Sequence, residues 1–349
     1  MQRLWENDVV NQESGLFAGN DRIRLMFPAR RITEVTAHSA DTVYEEGRDW
    51  LHTPGSDEIV RTPDSRIPRF SAEELRPVKN LRLYPDPDAN AIDNAVDGGY
   101  LLFNNGSMLA LHQIDISYRR EGGAFASGID RQPGRLPGFR GKLARGGKVR
   151  VTLIGDSISQ GFNATGFTGI RPFAPPYIQQ VCDELSRLRR CEVIPVNRAI
   201  EGTGIQDAER IADGWCGDRP DLLIIAYGMN NYSWMPPAEF ITRLREIIDR
   251  CRSVSPESEF LVVVPMTGHP LFRSTAPGPD LEYARTLREF AAAAPAGTAL
   301  ADVQMVWRKF LERKSFYDLT GNGVNHPNDY GHRIYASVLL EVLTGESYF

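Results

Sequence analysis

The first residues that could do chemistry lie where a predicted strand breaks into a turn. Val149–Ile154 is a mostly apolar, β-branched run that ends abruptly at Asp156 and Ser157. A serine at the carboxyl end of a strand in an α/β sheet stands where such sheets build their sites. The residues after Ser157 can open a helix, whose first backbone N–H groups are unpaired. Ser157 is therefore a candidate nucleophile, although helix capping by Asp156 and Ser157 explains the same pattern.

Three more polar stretches fall in loops after later predicted strands or late in the chain. They are Asn197–Gly202, Gly228–Asn230 and Asn325–Pro327, and they follow the Gly-Asp-Ser-x-x-x-Gly run that begins at Gly155. Loops at the carboxyl edge of a parallel sheet converge, so residues far apart in sequence can meet there. The four stretches together therefore predict one site.

The residue types suit nucleophilic attack on a carbonyl group. A serine hydroxyl needs a base to take its proton, and His326 is the best-placed candidate. The attacked carbonyl oxygen becomes negative and needs fixed donors. The N–H groups of Ser157 and Gly202 and the side-chain amide of Asn230 would provide three donors. Taken singly, Gly202 is also explained as a turn glycine and Asn230 as an Asx-turn residue.

The elements that must position these residues alternate between strand and helix from Val149 onward. The predicted strands are Val149–Ile154, Glu192–Val196, Leu222–Tyr227, Phe260–Pro265 and Thr298–Asp302. The predicted helices span residues 176–190, 205–215, 237–253, 280–294 and 330–343. The run Leu222–Tyr227 is almost wholly apolar, as expected of a strand covered on both faces. This order predicts an α/β fold with a three-layer, doubly wound parallel sheet.

The N-terminal part shows a different pattern. Residues 1 to about 130 contain short strand-like runs between turn-rich pieces, without helical periodicity, and this predicts an antiparallel β-sandwich. Alternation in His112–Tyr118 places Ile114, Ile116 and Tyr118 on one face. Residues 131–148 are rich in glycine, proline and basic side chains, which is a linker composition. We therefore predict two domains, a β-sandwich accessory domain over residues 1–140 and a catalytic domain over residues 141–349.

The four stretches together resemble the signature blocks of the SGNH hydrolases, the GDSL-type esterase and lipase superfamily. The resemblance covers residues from about 149 to 349 and rests on the order, spacing and position of the blocks. It implies an SGNH, flavodoxin-like fold for this part of the chain. It also implies that Ser157 is the nucleophile and His326 the base, and that Ser157, Gly202 and Asn230 form the oxyanion hole.

The order of the two predicted domains resembles that of two-domain carbohydrate esterases. The resemblance implies a carboxylic-ester hydrolase that acts on small acyl esters of a small molecule or glycan. Acetyl is the expected acyl group. Two alternatives stay open. One is a lipase or other acyl-ester hydrolase of the same superfamily, and the other is a carbohydrate-binding protein without activity. A short, solvent-open pocket favours acetyl esters, and a long apolar groove favours lipids.

The histidine block departs from the family pattern. The family usually has an aspartate three residues before the histidine, where this sequence has Gly323. A one-residue insertion would make Asn322 its counterpart, and Asp318 and Asp329 are the nearby carboxylates. Asp329 is also explained as the N-cap of the last helix. A Ser-His dyad, with the histidine held by a backbone carbonyl or an amide, stays open as well.

Several aromatic residues near these blocks suit a substrate-binding wall. They are Phe162, Phe167, Phe173, Tyr232 and Trp234. His269, after the fourth predicted strand of the sheet, is a further candidate for contact with substrate. Aromatic residues in loops also simply pack, which is the alternative for each of them.

The composition is that of an ordinary globular protein, with 42% hydrophobic and 24% charged residues among 349. A net charge of −5 gives no electrostatic reason to expect nucleic acid or an anionic membrane as a partner. No apolar run approaches the roughly 20 residues that span a bilayer, and we see no signal-peptide pattern. The four cysteines lack CxxC spacing, so we expect buried thiols, no metal and no cofactor. These features favour a cytoplasmic location, and they do not indicate which oligomeric state the protein has.

Overall fold

The N-terminal part of the protein consists of short strands. The computed structural model describes residues 3–275 and 277–349. The first elements are β1 (Trp5–Glu6), β2 (Val9–Gly15), β3 (Phe17–Ala18), β4 (Arg22–Arg24), β5 (Ala29–Ala37), β6 (Trp50–His52), β7 (Glu58–Arg61), β8 (Arg69–Phe70), α1 (Ala72–Leu75), β9 (Ala91–Ile92), β10 (Leu101–Leu102), β11 (Ile114–Arg120) and α2 (Pro137–Arg145).

These strands form several small sheets. The longest strands lie in a sheet of order β1-β2-β11-β5, in which all neighbours are antiparallel. Strands β4, β7 and β6 form an antiparallel sheet, β9 pairs with β10 antiparallel, and β3 pairs with β8 in parallel. On β11 the alternating residues Ile114, Ile116 and Tyr118 are buried, as the pattern predicted. The antiparallel strands are thus present, and their arrangement as a sandwich stays a prediction.

The stretch predicted to be a linker contains the packed helix α2. This helix buries Phe139 and Leu143. The N–H groups of Gly138 and Phe139 donate to the carboxylate of Glu259 at 3.0 and 2.8 Å, which suits the positive end of a helix. The linker prediction was wrong because the composition hides two apolar residues that lie four positions apart on one helix face. The predicted domain boundary after residue 140 falls within α2.

The rest of the chain alternates between strands and helices. Its elements are β12 (Lys148–Gly155), α3 (Ser157–Gln160), α4 (Thr165–Thr168), α5 (Tyr177–Arg189), β13 (Glu192–Asn197), a 3-10 helix (Ile205–Ile211), α6 (Ala212–Gly217), β14 (Leu222–Ala226), α7 (Pro237–Val254), β15 (Glu259–Val264), a second 3-10 helix (Arg273–Thr275), α8 (Pro279–Ala293), β16 (Thr298–Asp302), α9 (Val303–Leu311), α10 (Phe316–Leu319) and α11 (Asp329–Thr344).

Strands β12 to β16 form one parallel sheet, in the order β13-β12-β14-β15-β16. The predicted α/β fold with a parallel sheet is therefore confirmed. The strand order reverses between β12 and β14, and because strand–helix–strand connections are right-handed, this reversal puts helices on both faces. Helices α5 and α11 pack together on one face, and α7 and α8 pack together on the other. Ligand sites in such sheets lie at the carboxyl ends of the strands beside the reversal, and Ser157 follows β12 at that point.

The interior follows the apolar pattern of the sequence. All residues of β14 and β15 are buried, as expected of strands covered by helices on both faces. The four cysteines lie buried as free thiols. Within the described residues, no helix is long and apolar enough to cross a membrane.

The N-terminal strands and the α/β part share one core. Trp5 of β1 stacks on Phe310 of α9, with ring centroids 5.8 Å apart. Lys314 Nζ lies 2.7 Å from Glu13 Oε1, and neither side chain is exposed. The Tyr118 hydroxyl donates to Glu13 Oε2 at 2.7 Å. A buried ion pair therefore joins β2 to the segment that follows α9.

Removing the cation of this pair should destabilise the fold. In Lys314→Met the Glu13 carboxylate stays buried without its partner, so we expect a loss of about 3–5 kcal/mol in the free energy of unfolding. Urea unfolding followed by fluorescence measures it. The double variant Lys314→Met with Glu13→Gln removes both charges and should lose less. A single variant as stable as the wild type would contradict this account of the junction.

Candidate active site

A sharp turn after β12 presents Ser157. Asp156 caps α3, since its Oδ1 accepts a hydrogen bond from the Ile158 N–H at 3.1 Å. A Cβ atom on Gly155 would lie 2.7 Å from the carbonyl oxygen of Ala226 in β14, so only glycine fits there. Burial raises the pKa of the Asp156 carboxyl to about 7. Helix α3 thus begins at Ser157, and the N–H groups of its first turn have no acceptor within the helix.

Ser157 and His326 meet in the structure, although 169 positions separate them in the sequence. Ser157 Oγ lies 2.9 Å from His326 Nε2. Both residues are buried, with 8% of Ser157 and 5% of His326 exposed. This distance is suited to proton transfer from a nucleophile to a base. The turn after β12 and the loop before α11 therefore place a hydroxyl and an imidazole in direct contact.

Asn163 holds the other ring nitrogen of the histidine. His326 Nδ1 lies 2.9 Å from Asn163 Oδ1. Asn163 Nδ2 donates to the carbonyl oxygens of Gly106 and Gly321 at 3.0 and 3.2 Å, so the Oδ1 atom must face the histidine. Because an amide oxygen only accepts hydrogen bonds, Nδ1 carries the proton and Nε2 keeps its lone pair for Ser157. The asparagine thus selects the tautomer that a general base needs.

Asn322 shapes the histidine loop and does not hold the ring. Its Oδ1 accepts hydrogen bonds from the backbone N–H groups of Val324, Asn325 and His326 at 2.9, 2.9 and 3.0 Å. Three donors on one oxygen fix the backbone just before the imidazole. The ring partner in the structure is Asn163, and Asn322 acts on the same histidine through its main chain.

Asp318 and Asp329 are engaged elsewhere. The Asp318 carboxylate accepts from the Leu16 N–H at 2.8 Å and closes the capping box of α10. Asp329 is the first residue of α11, and the N-cap is Asn328, whose Oδ1 accepts from the Gly331 N–H at 2.9 Å. Both carboxylates therefore position elements around the site, and Asn328 corrects the N-cap interpretation of Asp329.

Asp329 ties the loop after the nucleophile to the N-terminal strands. Its carboxylate accepts from the Thr165 N–H and hydroxyl at 2.8 and 2.6 Å. His38 Nε2 lies 2.9 Å from Asp329 Oδ2, and His38 Nδ1 lies 3.1 Å from both carboxylate oxygens of Asp115. Burial alone would lower the pKa of His38, but the two carboxylates raise it to about 10. A buried imidazolium thus anchors the loop that carries Asn163.

The other two predicted residues line the same cleft as Ser157 and His326. This cleft has a volume of about 650 Å³, and Gly202 and Asn230 are among its lining residues. Gly202 has a φ of +70°, a conformation that favours glycine. Among the residues that the structure describes, no group of three or more His, Cys, Asp or Glu side chains could hold a metal ion. All four sequence blocks therefore reach one cleft.

Hydrogen bonds connect these loops to one another. The Ile200 N–H donates to the carbonyl oxygen of Gly155 at 3.0 Å, which ties the second block to the nucleophile turn. Asn230 Nδ2 donates to the carbonyl oxygen of Thr203 at 3.0 Å, which ties the third block to the second. A primary amide has two N–H donors, so one remains for a group in the cleft.

The predicted aromatic wall is only partly present. Phe162 lines the cleft and packs edge-on against the His326 ring, with centroids 5.3 Å apart. Tyr232 is buried and packs against Tyr283 at 5.0 Å. Trp234 is 56% exposed but does not line the cleft, and neither do Phe167, Phe173 and His269. The wall on this side of the cleft is therefore Phe162.

Burial keeps the histidine neutral. Desolvation, and to a smaller extent the neighbouring His332, lowers the pKa of His326 to about 3. Burial also lowers the pKa of His332 to about 4. The imidazole of His326 is thus unprotonated and able to accept the Ser157 proton throughout the neutral and mildly acidic range.

Sequence reasoning missed Asn163, the residue that contacts His326 Nδ1. It lies six residues after Ser157, in the loop considered for the substrate wall. Its φ of +61° is left-handed, which asparagine adopts more readily than most residues. One sequence feature points to it: Asn163 lies two residues after Gly161, the left-handed C-cap of α3, in a short turn that directly follows the nucleophile helix. Its partners Gly106 and Gly321, however, come from distant parts of the chain.

Comparison with known proteins adds the family context. The sequence model of the GDSL-like lipase/acylhydrolase family matches residues 153–334, just over half of the chain. No curated protein matches the sequence. Solved structures that are similar include the acetylxylan esterase Axe2 from Geobacillus stearothermophilus (18% identity, 58% of this chain and 97% of that chain, TM-score 0.48). Others are a putative GDSL-like lipase from Parabacteroides merdae (18%, 58% and 98%, 0.47) and LAE5, an α/β hydrolase enzyme from the Lake Arreo metagenome (20%, 58% and 98%, 0.48).

The contact between Asn163 and His326 makes a prediction about the histidine pKa. NMR titration of the ring should show a neutral His326 down to well below pH 6.5. In Asn163→Asp a negative charge replaces the amide, which favours the protonated ring and should raise its pKa by about 1 to 3. Asn163→Ala, which adds no charge, serves as the control. A wild-type ring that titrates near pH 6.5 would contradict the burial of His326, and an unchanged pKa in Asn163→Asp would contradict its contact with residue 163.

Proposed function

Because the chain belongs to the GDSL-like lipase/acylhydrolase family and is a carboxylic-ester hydrolase, we propose that it cleaves small acyl esters, acetyl esters above all, of a carbohydrate. The proposed nucleophile is Ser157 and the proposed base is His326. The observation that carries this proposal is the 2.9 Å distance between Ser157 Oγ and His326 Nε2. We also propose that the protein acts in the cytoplasm.

In the first step the Ser157 oxygen attacks the acyl carbonyl carbon. The hydroxyl proton passes to His326 Nε2, and the carbonyl oxygen takes up the negative charge. The proposed donors to that oxygen are the N–H groups of Ser157 and Gly202 and the free amide hydrogen of Asn230. By analogy with other enzymes, each donor lowers the barrier by roughly 3–4 kcal/mol.

The remaining steps reuse the same histidine. When the tetrahedral intermediate collapses, the bond to the alcohol oxygen breaks and His326 returns its proton to that oxygen. This leaves an acyl group on Ser157. His326 then takes a proton from water, the resulting hydroxide attacks the acyl carbon, and the Ser157 oxygen leaves with the proton.

Asn163 takes the place that a carboxylate has in a Ser-His-Asp triad. Its oxygen accepts a hydrogen bond from the Nδ1–H group throughout the cycle, which keeps the ring oriented. An amide dipole stabilises the imidazolium less than a full negative charge would. We therefore assign Asn163 as a positioning residue, and the proposed mechanism is a Ser-His dyad oriented by an amide.

The lining of the cleft supports a small acyl group and a polar alcohol. Besides Ser157, Gly202, Asn230 and His326, its polar lining residues are Asn105, Glu201, Ser233, Ser274, Thr275 and Asn325. Its aromatic lining residues are Tyr84, Phe103, Phe162 and Phe272, and the other apolar ones are Pro85, Ile92, Met229 and Val324. A site for a fatty acyl chain needs a continuous apolar channel, because each buried CH₂ group contributes about 0.8 kcal/mol only where it leaves water. A lining that contains both polar and aromatic groups matches a sugar better than it matches a lipid.

Removing either member of the proposed dyad should abolish hydrolysis. We expect Ser157→Ala and His326→Ala each to lower kcat on p-nitrophenyl acetate by about 10⁴-fold or more, since members of such a unit act together. The control variants are Ser253→Ala and His52→Ala, which lie on α7 and β6 away from the cleft. Initial rates with verified folding measure the effect.

Two outcomes would overturn this assignment. Equal rates in the wild type and in Ser157→Ala would show that another group is the nucleophile. An inactive wild type would favour the alternative of a carbohydrate-binding protein.

The preferred acyl length separates an acetyl esterase from a lipase. We expect kcat/KM for p-nitrophenyl acetate to exceed that for p-nitrophenyl octanoate by about tenfold or more, because polar side chains line the cleft beside its apolar ones. A series of acetate, butyrate and octanoate esters at one pH measures this. A preference that rises with chain length would favour the lipase alternative.

A further inference from the structure

One wall of the active-site cleft comes from the N-terminal part of the chain. Five of its lining residues lie there: Tyr84, Pro85, Ile92, Phe103 and Asn105. All five stand outside residues 153–334, the part of the chain that the family model matches. This wall therefore lies outside the part that the family model covers, and it faces the same cleft as Ser157 and His326.

Tyr84 offers an aromatic surface that is held in place. Its side chain is 51% exposed, and its ring packs edge-on against Phe103, with centroids 5.2 Å apart at 72°. The backbone N–H of Tyr84 donates to the carbonyl oxygen of Ala91 at 3.0 Å. Phe103 belongs to a buried cluster that includes Val324, two residues before His326. The ring is thus fixed relative to the loop that carries His326, while half of the residue's surface stays exposed.

Asn105 offers an unused hydrogen-bond acceptor in the same wall. Its Oδ1 atom is shielded from solvent and has no hydrogen-bond partner among the residues described. The carbonyl oxygen of the next residue, Gly106, accepts a hydrogen bond from Asn163, so the backbone beside Asn105 is fixed to the loop that follows α3. An acceptor left unpaired in such a place costs free energy until a donor arrives. A hydroxyl group bound in the cleft would supply that donor.

We propose that Tyr84 and Asn105 form a subsite for the alcohol part of the substrate, and that this part is a pyranose ring. The C–H-rich face of a sugar packs on the open face of Tyr84, and one of its hydroxyl groups donates to Asn105 Oδ1. A fatty alcohol or acyl chain has no donor for Asn105. The inference rests on the proposed function, and it assigns recognition of the alcohol part to the N-terminal part of the chain.

The test compares two acetyl esters that differ only in the alcohol. One is a monoacetylated methyl xylopyranoside and the other is ethyl acetate, both followed by acid release. The measured quantity is the ratio of kcat/KM for the sugar ester to kcat/KM for ethyl acetate. We expect Tyr84→Ala and Asn105→Ala each to lower this ratio by about tenfold, chiefly through KM for the sugar ester. Tyr84→Phe, which keeps the ring, should retain the wild-type ratio within about twofold.

Each other outcome has a distinct meaning. Loss of activity on both esters by the same factor would show that Tyr84 and Asn105 only support the fold, and it would overturn the subsite. A wild-type enzyme that hydrolyses ethyl acetate and not the sugar ester would also overturn the subsite, while esterase activity would stand. A wild type inactive on both esters would overturn the proposed function itself. Val78→Ala, at an exposed position outside this cleft, controls for nonspecific effects.

Discussion

The hydrogen bonds that run from Asn163 through His326 to Ser157 are the interaction on which the site depends. Burial alone would leave the imidazole neutral, but it would not decide which ring nitrogen carries the proton. The amide of Asn163 decides it, because both of its N–H donors are already used by backbone carbonyls. A neutral residue thus performs the orienting part of a carboxylate's role. In the proposed mechanism the imidazolium has no carboxylate beside it, and the proposed oxyanion donors stabilise the negative charge on the substrate oxygen.

That interaction requires the N-terminal strands as much as the parallel sheet. Gly106 accepts one of the two bonds that orient Asn163. Leu16 donates to Asp318, and His38 binds Asp329, so residues of the N-terminal part fix two elements beside the loop that carries His326. The N-terminal part therefore helps to position the proposed catalytic residues. The shared core and the buried ion pair of Glu13 and Lys314 hold the two parts of the chain together. This rigidity keeps the loops of the site in fixed positions.

The sequence predicts the parallel sheet and the meeting of its loops because strand ends in such a sheet share an edge. Ser157, Gly202, Asn230 and His326 line one cleft for that reason. The role of Asn163 is not readable in the same way, because it depends on a left-handed backbone and on carbonyls from two remote segments. The linker prediction failed for a related reason: glycine, proline and basic residues hide the apolar pair that packs α2.

The most direct test of the account is covalent labelling of the free enzyme by a fluorophosphonate, followed by intact-mass and peptide mass spectrometry. The account predicts a single adduct at Ser157, and it predicts much slower labelling in His326→Ala, because the hydroxyl loses its base. An adduct at another residue, or equal labelling rates with and without the histidine, would contradict the claim that His326 activates Ser157.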